Sequence, residues 1–240
     1  KGEINNFMFI KFNTFSNGND YYIDDKRYSK LEELLLTAKA TIINPTIVHM
    51  VTWIKEVEYF DKPNFVVNLK RALAKVYKSN KQIAPEGFLY AYSIEFKYAT
   101  VCQIENDYTQ HCHTHNYNYS YSYDNADYQL PYLHMHLYLI VDCSNGSNPY
   151  FLPNNAEVAL GMIEGLDKSH YIKSKDGYKF RKIDDTTADD IFNRLLYIGK
   201  IEQKDEYEIP YRQTFSMSKL PKNIKSYIPN YQSYDDIVNW

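Results

Sequence analysis

Residues 131–142 read PYLHMHLYLIVD, a run of large apolar side chains too short to span a membrane. A run of this length, rich in Leu, Ile, Val and Tyr and bounded by polar residues, predicts a buried strand. His134 and His136 interrupt it. Side chains alternate across a strand, so both imidazoles point to one face, roughly 6.6 Å apart along the chain. Met135, Leu137 and Leu139 point to the other. Two imidazoles on one face can converge on a metal ion, and they can equally be core histidines bonded to neighbours.

Around this strand the sequence predicts a single α+β domain over residues 1–240. It has a central, mainly antiparallel sheet, helices packed on one face and the histidines on the other. FMFIKF (7–12) reads as a short strand. A helical N-terminal part is expected over about 29–80, in three pieces. SKLEELLL opens with Ser29 and Glu32 at capping-box spacing. Asn44-Pro45 opens a second helix, with Ile47, Met50, Val51, Ile54 and Val57 as its apolar stripe and His49 off the stripe, on the surface. Residues 62–80 carry Val66, Leu69, Leu73 and Val76 at helical spacing. FLYAYSIEFKY (88–98) follows as a strand. Residues from about 98 to 130, polar and tyrosine-rich, read as a long hairpin insertion or a mobile loop. Its HCHTH (His111, Cys112, His113, His115) is a possible zinc chelate or an exposed polar tip. Residues 153–166 suggest a helix, and 184–204 another, with Phe192, Leu195, Leu196 and Gly199 inward and Asn193, Arg194, Tyr197 and Lys200 outward.

The net charge of -3 excludes a chain that binds polyanions with its whole surface. The charge is uneven, however. KSHYIKSKDGYKFRK (168–182) holds Lys168, Lys173, Lys175, Lys179, Arg181 and Lys182 against Asp176, interleaved with Tyr171, Tyr178 and Phe180. Aromatic rings beside a cationic groove suit single-stranded nucleic acid, although many such runs are solvated loops. SKLPKNIK adds Lys219, Lys222 and Lys225. Three widely spaced cysteines suit reduced thiols, and with no secretion signal or apolar span they predict a cytoplasmic protein with no membrane partner. No Gly-rich phosphate loop ending in Lys-Ser or Lys-Thr occurs, so unwinding would fall to another enzyme.

Glu95 lies between Ile94 and Phe96, where a carboxylate is costly to bury unless it is paired or bound to metal. If strands 88–97 and 132–141 pair antiparallel, Glu95 can face the histidines. His, His and Glu leave open positions that suit Mn²⁺ or Mg²⁺ completed by phosphate oxygens. Farther on, Tyr197 and Lys200 stand one helical turn apart.

YSIEF, PYLHMHLYLIV and LLYIGK, in this order over roughly residues 88–200, resemble the HUH endonuclease superfamily. Closest are the rolling-circle replication initiators of plasmids and single-stranded DNA phages. YRQTFSMSKL, with Arg212 and Lys219, is similar to a stretch that follows the tyrosine helix in many of them. The resemblance implies metal-dependent, sequence-specific nicking and rejoining of single-stranded or hairpin origin DNA. Tyr197 would form a covalent 5′-phosphotyrosine with help from Lys200, and His134, His136 and Glu95 would hold Mn²⁺ or Mg²⁺. Lys173, Lys175, Lys179, Arg181, Lys182, Arg212 and Lys219 would contact DNA, with a host helicase and polymerase as partners and an oligomer as an option. The segment between Glu95 and His134 is long for this family, so His111, His113, His115 or another acid competes for the third ligand position. Only one tyrosine occupies the helix face, which predicts a single nucleophile. Two other readings remain: a conjugative relaxase using Tyr21 or Tyr22, and a non-catalytic nucleic-acid-binding protein.

Overall fold

The computed structural model of the chain describes residues 9–13, 20–100, 129–174, 176–200 and 213–220. Strands β1 (Phe9–Asn13) and β2 (Asp20–Asp24) form a hairpin that runs directly into helix α1 (Asp25–Thr41). Then come β3 (Pro45–Ile54), α2 (Phe65–Ser79), β4 (Glu86–Thr100), β5 (Gln129–Asp142), α3 (Leu152–Leu160), β6 (Leu166–Tyr171), β7 (Arg181–Lys182), α4 (Ala188–Gly199) and β8 (Phe215–Met217). The main sheet is antiparallel, in the order β6-β3-β5-β4-β8, with β7 also pairing with β3. The fold is therefore α+β, as the pattern of elements predicts.

Alternation along β5 divides the interior. Leu133, Met135, Leu137, Leu139 and Val141 join Tyr92, Ile94 and Phe96 of β4 beneath α2 and α3. Phe65, Leu69, Leu73, Val76 and Tyr77 are the buried stripe of α2. The opposite face carries Tyr138 and Ile140 and is covered by α1 and α4, through Leu31, Leu34, Leu35, Ile191, Phe192, Leu195 and Leu196. Each fully buried Leu or Ile contributes roughly 1.5–3 kcal/mol, so both layers hold the sheet. Helices thus pack on both faces, not one, and the histidines share their face with α1 and α4.

Two further expectations are corrected. Residues 45–54 are a strand, not a helix, and the 29–80 region is therefore not all helical. Thr46, Ile47, Val48, Val51, Thr52 and Ile54 are β-branched, and β3 is covered on both faces. A strand buried on both faces loses its alternation, so its apolar residues also fit a helical period. Helix α1 begins at Asp25, before Ser29, because Asp24 is its N-cap and accepts a 2.8 Å hydrogen bond from the Arg27 amide. Strands β4 and β5 stay paired out to Thr100 and Gln129, and residues 101–128 of the expected insertion lie outside the described residues. The HCHTH cluster, Lys175, Arg212, Lys222 and Lys225 lie outside the described residues.

Candidate active site

The β4–β5 register decides the position of Glu95. Its Cα partner is His134, and Ser93 opposes His136, so all four side chains share one face. The length of the intervening segment is immaterial, because strand pairing brings the two ends together. Glu95 Oε2 lies 3.7 Å from Nε2 of His134 and 3.7 Å from Nε2 of His136. Among the described residues these three form the one converging group of His, Cys, Asp or Glu ligands, with all ligand atoms within 4.8 Å of one another. Donors at these separations are close enough to share one ion at bond lengths of about 2.0–2.2 Å. Two imidazoles and a carboxylate suit a divalent cation without selecting which one. The cluster can bind a divalent metal.

Glu95 is fully buried, as is Lys200, and Lys200 Nζ lies 3.0 Å from Glu95 Oε2. The Ser93 hydroxyl donates to Glu95 Oε1 at 3.2 Å. The outward placement of Lys200 is thereby corrected. Helix α4 stops at Gly199, and Lys200 leaves it with extended backbone (φ -52°, ψ 149°). Its side chain turns inward because the buried carboxylate needs a cation. Gly199 permits this close ending: a Cβ there would collide with the Ile23 side chain of β2. Arg27, paired with Asp24 at 3.0 Å, donates to the Gly199 carbonyl at 3.3 Å.

Tyr197, one turn before Lys200, meets the cluster directly. Its ring stands edge-on to His136, with centroids 5.2 Å apart, and Lys200 Nζ lies 3.6 Å from its centroid. The expected Tyr197–Lys200 adjacency is present. Burial raises the Tyr197 phenol well above the ordinary tyrosine value, and the Glu95 carboxylate, Tyr21 and Tyr138 push the same way. Tyr21 of β2 is a neighbour, 5.5 Å from Tyr197 between ring centroids and edge-on. Lys200 Nζ lies 5.2 Å from the Tyr21 ring. Tyr22, next along the strand, is exposed.

His49 is a component that the helical reading of 44–57 hid. In strand β3 it opposes Tyr138 and points to the site face. Its Nε2 lies 3.0 Å from His136 Nδ1, and its ring stacks on Tyr138 at 4.2 Å and 14°. For His136 to offer Nε2 to a cation, its proton must sit on Nδ1, so His49 Nε2 is then the acceptor. The Tyr138 hydroxyl donates to the Arg194 carbonyl of α4 at 3.0 Å. Tyr138 thereby ties the helix that carries Tyr197 to the strand that carries His136. The β-branched content of 45–54 is the signal that would have marked it as a strand and so placed His49 on this face.

The predicted basic residues divide between the sheet's two edges. Lys179, Phe180 and Arg181 line one cleft with His49 and Tyr138, so this part of the surface adjoins the site. Arg181 is paired with Asp176 at 3.2 Å and with Asp190 at 3.6 Å. Lys173 is half-buried just after β6, and Lys182 is exposed on β7. Lys219 is exposed beyond β8, at the opposite edge. Tyr171 is buried in the α2–α3 layer and presents no open stacking face, whereas Tyr178 is exposed.

No family model, curated protein or solved structure matches the chain. No helix among the described residues is long and apolar enough to cross a membrane.

Proposed function

We propose that this protein is a rolling-circle replication initiator of the HUH type, a metal-dependent enzyme that nicks and rejoins single-stranded DNA through Tyr197. The observation that carries the reading is convergence. A tyrosine, a buried lysine, two histidines and a carboxylate from β4, β5 and the end of α4 meet at one point. Pairing with Glu95 accounts for the buried lysine, and its place over the Tyr197 ring beside the two histidines is what favours a catalytic use.

Glu95, His134 and His136 would hold Mn²⁺ or Mg²⁺, whose charge offsets that building on the scissile phosphate. The remaining work falls to the chain's own residues. The Tyr197 phenol oxygen attacks phosphorus and forms a new P–O bond. The bond from phosphorus to the 3′-oxygen breaks. The phenol gives up its proton, and the outgoing oxygen takes one up as a free 3′-OH that can prime a polymerase. An ordinary phenol ionises near pH 10, and this one is raised further by its surroundings, so it needs a cation close by. Lys200 stands over the ring and supplies positive charge, shared with Glu95. His49 keeps His136 oriented. Origin DNA, a host helicase and a polymerase are the partners this chemistry requires, and it would operate in the cytoplasm.

A second reading has one observation in its favour. Tyr21 stands edge-on to Tyr197 and near Lys200, so a relaxase-like use of Tyr21 as nucleophile fits the same centre. Incubation with Mn²⁺ and labelled single-stranded origin DNA, followed by denaturing electrophoresis, tests both. Loss of the covalent adduct in Tyr197→Phe and His136→Ala but not in Tyr21→Phe supports the proposal. Loss only in Tyr21→Phe transfers the nucleophile to β2. DNA binding with no adduct in the wild type would make the chain a non-catalytic binder.

A further inference from the structure

Trp53 is a further aromatic side chain on this face, beside the metal cluster. It opposes His134 across the β3–β5 ladder, so the indole and the imidazole are nearest neighbours on one face. It is half-buried. Two lysines approach it: Lys55 Nζ lies 5.9 Å and Lys168 Nζ 5.7 Å from the ring centroid.

Lysine stems often lie over an indole at a surface, but Lys168 reaches this one by a special route. Between β3 and β6 the register passes from Val51↔His170 to Trp53↔Asp167, which leaves one extra residue on β6. The irregularity contains Lys168, at φ 47°, a left-handed conformation that side chains other than glycine rarely adopt. Bulges beside a site re-aim one side chain. Asp167 supports the arrangement: its carboxylate accepts from the Lys168 amide at 2.8 Å and lies 3.5 Å from Lys55 Nζ. Two positive charges therefore meet at one aromatic ring. Burial, and then the Lys55 charge, lower the Lys168 ammonium below the ordinary lysine value.

We propose that Trp53, Lys55 and Lys168 form a nucleotide subsite beside the cleavage centre. Trp53 stacks one base of the single strand, and the two lysines hold the phosphates that flank it. This inference rests on the reading that single-stranded DNA crosses this face. Stacking tolerates any base, so the subsite positions the strand and does not select sequence.

The experiment uses oligo(dT) with metal chelated, so that binding is read apart from cleavage. The chain has two tryptophans, and Trp240→Phe makes Trp53 the sole reporter. Oligo(dT) should quench Trp53 fluorescence with the same midpoint as the anisotropy of labelled DNA. Trp53→Leu should weaken binding roughly 5- to 150-fold, and Trp53→Phe should retain most of it. Lys55→Gln with Lys168→Gln should flatten the dependence of log K on log salt by about 1.4, the value for two single-strand phosphate contacts. Abasic sites walked along the oligonucleotide should reveal one position whose penalty disappears in Trp53→Leu, an effect that loss of folding does not produce. If the wild type binds oligo(dT) but Trp53 is unquenched and Trp53→Leu binds equally well, the subsite is wrong and the DNA reading stands. If the wild type binds no oligo(dT), both fall.

Discussion

Replacing Lys200 by Met keeps most of the side-chain stem and removes the ammonium. At 3.0 Å from Glu95 Oε2, an effective dielectric of about 20 gives an attraction of about 5–6 kcal/mol. The removed lysine also no longer bears its own desolvation cost, so the net loss is smaller. Breaking a buried pair by deleting one partner costs about 3–5 kcal/mol, because the remaining charge is left in a dry interior. For a chain of this size that corresponds to a melting temperature lower by roughly 6–20 °C, read by thermal unfolding in chelator. Two controls isolate the cause. Glu95→Gln with Lys200→Met leaves no unpaired charge and should be less destabilised than Lys200→Met alone. Excess Mn²⁺ should restore much of the lost stability in Lys200→Met, since Glu95, His134 and His136 are retained. A Lys200→Met melting temperature within about 1 °C of wild type in chelator, the size of effect expected of an exposed pair, would refute the reasoning.

Three further outcomes are expected. His49→Phe keeps a ring against Tyr138 but removes the acceptor for His136 Nδ1, so Mn²⁺ affinity measured by calorimetry should fall about 10- to 100-fold. Unchanged affinity would mean that another group orients His136. Gly199→Ala would gain about 1 kcal/mol in an exposed helix. Here the new methyl meets Ile23 and lies 3.1 Å from Leu31 Cδ1, so urea unfolding should show a loss of about 1–3 kcal/mol. Burial raises the Tyr77 phenol from 10.0 to about 12. The unfolded state therefore releases this proton first, and stability present below pH 10 is lost as pH rises to about 12. The loss from Tyr77 is about 3 kcal/mol, and Tyr77→Phe should remove that part of the alkaline slope in pH-dependent melting.

How much of this was legible in the sequence depended on which elements kept their period. Strand β5 and helices α2 and α4 carry clear patterns, and each was readable from its own residues. Strand β3 was not: with both faces covered, its apolar residues satisfy a helical period as well as a strand. Misreading it hid His49 and Trp53 together, since both depend on alternation to be assigned to the histidine face. Glu95 was identifiable as a carboxylate too costly to bury alone, and the histidines as groups it could face, but its lysine partner was not. Lys200 looked like the exposed end of an amphipathic helix because nothing local announces that the backbone leaves the helix at Gly199. That turn is set by contacts distant in sequence, namely Ile23 of β2 and the buried carboxylate of β4. The basic residues were visible as a cluster. Their division between two sheet edges follows from strand order, which no local pattern encodes.

The central claim is that Tyr197 attacks phosphorus at this metal cluster. The most direct measurement is digestion of the protein–DNA adduct formed with Mn²⁺ and origin-derived single-stranded DNA, followed by mass mapping of the peptide that carries the nucleotide. The account expects the nucleotide on Tyr197, with formation dependent on Mn²⁺ and lost in His136→Ala. A nucleotide on any other residue, or no adduct on a strand that the protein binds, would contradict it.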